Sequence, residues 1–188
     1  CITYNYGKSG ASIAPYTNVN NRAVGKWIDE AYDTLPEYVS LITIMLGTND
    51  RQTDLVIGTV EDTLAVDTGS GSGVASTSFL AYYKHLILKL YEKYPEAEIV
   101  LLTPPRNSKF ADTTVINNKA QNTFGDIIQA VKDLAAYLCL RCYDMNHESG
   151  VNQLASSSTL KLSWLAKRTN FLTVDGLHYN DLGHELLF

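Results

Sequence analysis

The sequence predicts an α/β domain built on a parallel sheet. Three short apolar runs, the first two rich in β-branched residues, occur at 39–46 (Val-Ser-Leu-Ile-Thr-Ile-Met-Leu), 98–103 (Glu-Ile-Val-Leu-Leu-Thr) and 137–143 (Tyr-Leu-Cys-Leu-Arg-Cys-Tyr). Segments with helical spacing lie between them. Each run stops at turn-forming or polar residues, namely Gly47-Thr48-Asn49-Asp50, Pro104-Pro105 and Asp144. Strands alternating with helices imply crossover connections and hence parallel pairing. Runs that are continuous rather than alternating imply strands buried on both faces.

Taken in chain order, Cys1-Ile2-Thr3-Tyr4 reads as the inside of a strand, and Ala23, Trp27, Ala31 and Leu35 suggest a short helix. The first buried strand, 39–46, ends at the Gly47 turn. Residues 67–73 (Asp-Thr-Gly-Ser-Gly-Ser-Gly) read as part of a flexible insertion, because the pattern resumes at once. Phe79, Tyr82, Tyr83, Leu86, Leu90 and Tyr94 then line one face of a helix that Pro95 stops. The second strand follows. Ile116, Ala120, Phe124, Ile127, Val131, Leu134 and Leu138 mark another helical stripe, leading to the strand expected at 137–143. Residues 149–173 show no period and could shape one wall of a cleft, and 181–188 read as a helix cut after two turns. The whole, 1–188, is expected to be a single domain, clipped at its N-terminus and at its C-terminus.

Composition narrows the function classes. The chain has 188 residues, with 15 basic and 20 acidic, for a formal net charge of −5. A mildly acidic chain without a basic run argues against nucleic acid as a partner. No apolar run approaches the roughly 20 residues that span a bilayer. Cys139 and Cys142 form a C-x-x-C, but the apolar run around them points to small core residues rather than a redox or zinc site.

Strand ends of a parallel sheet are where function gathers, which directs attention to 7–12, 47–50, 103–107 and 144–147. An Asp three residues before a His can orient the imidazole through one ring nitrogen and leave the other as a base. Such pairs include Asp144 with His147 and Asp175 with His178. Asn49, in the turn after a buried strand, can aim its amide at a developing oxyanion. The glycines of Asn5-Tyr6-Gly7-Lys8-Ser9-Gly10-Ala11-Ser12 let backbone N–H groups approach a ligand closely.

In this order, the three segments resemble conserved blocks of the SGNH (GDSL-type) hydrolase superfamily. The resemblance implies a three-layer α/β/α, flavodoxin-like fold and a serine ester hydrolase, an acyl- or acetylesterase acting on small-molecule or carbohydrate esters without a metal or organic cofactor. It implies oxyanion donors at Gly10 and Asn49, and a triad base and acid at His178 and Asp175. Tyr94-Pro95 before a strand ending Thr103-Pro104 fits the same pattern.

The resemblance also implies a Gly-Asp-Ser block carrying the nucleophile, and the 188 residues contain none. That block, with a first strand that lies between the second and third in a flavodoxin-like order, is expected upstream of residue 1. The chain alone is therefore expected to be inactive. Ser9 and Ser12, beside Gly10, are expected to bond within their loop rather than to attack substrate. Two other classes compete: a non-catalytic carbohydrate-binding or structural module on the same fold, and a metal-dependent hydrolase using Asp144, His147, Asp175 and His178.

Overall fold

The computed structural model describes residues 2–7, 10–14, 28–29, 31–50, 56–64, 74–105, 115–117 and 122–148. Its central feature is a three-stranded parallel sheet of β1 (Leu41–Met45), β4 (Glu98–Leu102) and β7 (Arg141–Tyr143), in the order β1-β4-β7. The register sets Ile42 beside Ile99, Ile44 beside Leu101, and Leu101 beside Cys142. Two small pairs lie outside this sheet. β2 (Asp62–Thr63) pairs in parallel with β3 (Val74–Ala75), and β5 (Val115–Asn117) pairs antiparallel with β6 (Asn122–Thr123). Sequence-adjacent parallel neighbours joined by helices are what the α/β, flavodoxin-like class requires.

Helix α1 (Phe79–Lys93) joins β1 to β4. The Ser78 hydroxyl caps it by accepting from the Ala81 N–H at 3.2 Å, and Tyr94 closes it just before Pro95. Helix α2 (Phe124–Tyr137) joins β4 to β7. Its capping box is reciprocal: Thr123 Oγ1 accepts from Asp126 N at 3.2 Å, while Asp126 Oδ2 accepts from Thr123 N at 2.7 Å. Each cap contributes about 1 kcal/mol.

Both crossovers step the same way across the sheet, so right-handed connections put both helices on one face. Phe79, Tyr83, Leu86, Ile87 and Leu90 of α1 join Ile127, Val131 and Leu134 of α2 in one core with Ile44, Ile99 and Leu101. Burying each such side chain stabilises the fold by about 2 kcal/mol. The opposite side of β1 differs from the expectation of a strand buried on both faces. Its exposure alternates, and Leu41 and Met45 are 53% and 42% exposed. Neither described helix crosses that face.

Three further expectations need correction. Residues 2–4 lie in no strand, and Ile2 is 80% exposed. The helical stripe expected from Ile116 begins only at Phe124, because 115–117 are extended and Thr123 starts the helix. The run at 137–143 is not one strand. α2 continues through Tyr137, the chain turns at Cys139 with φ 54°, and β7 is three exposed residues. Leu140 N donates to Ala135 O at 2.8 Å across that turn, so the helix end captures residues that look strand-like in sequence. Cys139 and Cys142 are consequently exposed free thiols rather than core residues.

The short helix expected near Trp27 is described only at Ile28, Asp29 and Ala31, where it runs into a 3₁₀ turn at Tyr32–Thr34. The expectations for 67–73, 149–173 and 181–188 lie outside the described residues. Among the described residues, no helix is long and apolar enough to cross a membrane.

Candidate active site

The carboxyl ends of the parallel strands meet through contacts that begin at Gly47. This residue has φ 120°, and a Cβ added to it would lie 2.9 Å from both Ile127 Cγ2 and Pro104 Cγ. Glycine is needed on both counts, conformation and space. The turn after β1 therefore nests against α2 and the segment leaving β4. Asp50 N closes the turn by donating to Gly47 O at 3.2 Å.

The residues closing this turn grip the 10–14 loop. Asn49 Nδ2 donates to Ala11 O at 3.0 Å. Asp50 Oδ1 accepts from Ile13 N at 2.9 Å and Ala14 N at 3.0 Å, and Oδ2 accepts from Ile13 N at 3.0 Å. Asp50 is almost wholly buried, and burial pushes its carboxyl up to about 7 even though the backbone N–H groups favour the ionised form. Tyr83 of α1 lies close enough to feel the Asp50 charge, and burial with that charge pushes its phenol further up. Gly10 has φ 75°, the left-handed conformation glycine permits.

A second cluster joins the ends of β4 and β7. Asp144 Oδ1 accepts from Thr103 Oγ1 at 3.1 Å, and Asp144 Oδ2 accepts from Lys132 Nζ at 2.9 Å. His147 Nδ1 lies 3.0 Å from the same Oδ2. Burial opposes ionisation of Asp144, but the Lys132 ammonium and the His147 bonds outweigh it and hold the carboxyl down at about 2. An ionised carboxylate only accepts, so the His147 proton sits on Nδ1. Asn146 N donates to Thr103 Oγ1 at 3.2 Å, which ties the cluster back to β4.

The structure thus brings the Gly10 loop and Asn49 into direct contact. Asp175 and His178 lie outside the described residues, as does Ser9. Ser12 is buried and its hydroxyl donates to Ala14 O at 2.7 Å, the loop-bonding role expected of it. Of the four side chains in the metal-hydrolase reading, Asp144 and His147 bind each other. Among the described residues, no three His, Cys, Asp or Glu side chains group as metal ligands. The Asp144–His147 pair was singled out from sequence, but the role of Asp50 and the links of Asp144 to Thr103 and Lys132 were not. Asp50 stood beside a recognised Asn, but its partners are backbone N–H groups 36 and 37 residues away, which no side-chain pattern records.

No protein-family model matches the sequence, and no curated protein matches it. Solved structures do match in fold. An inhibitor-bound aryl esterase of M. smegmatis superposes with a TM-score of 0.55 at 15% identity, covering 95% of this chain and 70% of the other. A GDSL-like lipase candidate from Parabacteroides merdae gives 0.51 at 16% identity, over 87% of this chain and 64% of the other. A catalytic mutant of an acetylxylan esterase from Geobacillus stearothermophilus gives 0.50 at 17% identity, over 95% and 65%. Parallel strands in this order, helical crossovers and these superpositions agree: the chain has the α/β fold of the SGNH, GDSL-type hydrolases.

Proposed function

We propose that this chain supplies the base and the oxyanion side of a serine ester hydrolase. The observation that carries the reading is the contact between Asn49 and the Gly10 loop at a strand end. An amide nitrogen carries two protons. One Asn49 N–H is used on Ala11 O, which fixes the side chain and leaves the other for a ligand oxygen. With the N–H of Gly10 nearby in the chain, this makes a pair of donors suited to a tetrahedral oxyanion.

In this mechanism a serine from the Gly-Asp-Ser block, expected upstream of residue 1, attacks an ester carbonyl. His178 takes the serine proton and later returns it to the leaving alcohol, while Asp175 keeps His178 in the required tautomer. The acyl group rests on the serine until water releases it. Small acyl groups on carbohydrates are the substrates to test first, since one fold neighbour is an acetylxylan esterase.

The test is hydrolysis of p-nitrophenyl acetate by the full-length protein and its His178→Ala variant. Turnover should fall roughly 10³–10⁴-fold in the variant. An unchanged rate overturns the assignment.

A further inference from the structure

We infer that Asp50 is the positioning residue of the oxyanion site, setting where the Gly10 loop lies relative to the Asn49 amide. This rests on the ester-hydrolase reading above for its catalytic consequence, though not for its geometry.

Asn49 and Asp50 are consecutive, and both reach the same loop with opposite polarity. Asn49 donates to the Ala11 carbonyl, whereas Asp50 accepts from the Ile13 and Ala14 amides. The three bonded loop residues lie one, three and four positions after Gly10. A shift of this loop therefore carries Gly10 with it, and Asn49 is one peptide away from the group that stops such a shift.

A buried carboxylate is an expensive way to satisfy two N–H groups. Desolvating the charge is unfavourable unless its bonds recover the loss. A neutral acceptor such as an Asn carbonyl would avoid that cost, but it offers one accepting oxygen where Asp50 uses both. The charged group thus holds the loop from two atoms, which fixes orientation as well as distance. Its raised proton affinity follows from the same burial, so the grip is strongest when Asp50 is ionised. Tyr83, which feels the Asp50 charge, stays neutral through the same range because burial raises its phenol further.

The first experiment follows amide NMR signals of the wild-type full-length protein between pH 5 and pH 9. The Ile13 and Ala14 backbone signals and the Asn49 side-chain signal should move together with one midpoint. An Asn49 signal that stays still while the other two titrate overturns the coupling. The second measures p-nitrophenyl acetate hydrolysis by Asp50→Asn. The value of kcat should fall roughly 10–100-fold with KM changed less than about threefold, a partial loss of oxyanion stabilisation. A folded variant with wild-type kcat overturns the positioning role. If the variant does not fold, the wild-type titration decides alone. A wild-type protein without ester turnover refutes the hydrolase reading and leaves the titration result standing, so the two failures are distinguishable.

Discussion

Asp144 Oδ2 lies 3.0 Å from His147 Nδ1 and 2.9 Å from Lys132 Nζ, so one carboxylate oxygen joins the loop after β7 to helix α2. The other oxygen takes the Thr103 hydroxyl from the end of β4. Three elements at the carboxyl edge of the sheet therefore depend on one ionised group.

That dependence predicts a pH effect with a definite sign. The Asp144 carboxyl has its folded value at about 2, below the ordinary 3.8. Its contribution is complete above the ordinary value and is lost as pH falls through the folded one. Asp144→Asn should cost on the order of 1–3 kcal/mol at pH 7, read from urea unfolding. The difference from wild type should shrink between pH 4 and pH 2. A gap that is constant across this range contradicts the assigned charge state.

At Cys139 the expected change is a gain. This residue follows the end of α2 with φ 54°, a left-handed conformation that most side chains disfavour and glycine adopts freely. Its side chain is exposed, so nothing described is lost by removing it. Cys139→Gly should raise stability by about 1 kcal/mol, measured by urea or thermal unfolding. A destabilised variant would mean that the thiol makes a contact worth more than the strain.

Gly47→Ala tests the opposite case. The added methyl would meet Ile127 and Pro104, each at 2.9 Å, on a backbone with φ 120°. The cost should be about 2–4 kcal/mol, read from the midpoint of denaturant unfolding. A change below about 0.5 kcal/mol would show that the turn is not nested as tightly as these distances require.

Much of this architecture was legible because its punctuation is chemical. Pro95 ends α1, Gly47 ends β1, and Pro104 follows β4, each for reasons of backbone geometry. The region after Ile127 was harder. Leu134, Leu138 and Leu140 continue an apolar pattern through a helix end, and a short apolar run cannot by itself separate helix from strand. The turn at Cys139 lacks the glycine that would have marked it. The exposure of Leu41 and Met45 was equally hidden, since a residue's type does not say which sheet face a helix covers. For the candidate site, the Gly10 and Asn49 segments could be named from sequence, but the bonds that join them run partly to backbone amides and carry no residue signature.

Asn49 and Asp50 offer the 10–14 segment one donor and one charged acceptor, the two polarities that the edge of a neighbouring strand would present. Two side chains thus reinforce a segment in which Ser12 also makes a backbone bridge. True pairing would demand extended backbone throughout the segment it holds. Side-chain bonds make no such demand, so Gly10 can keep its left-handed turn while Ala11, Ile13 and Ala14 are held by Asn49 and Asp50. Irregular backbone is thereby held beside the Asn49 amide.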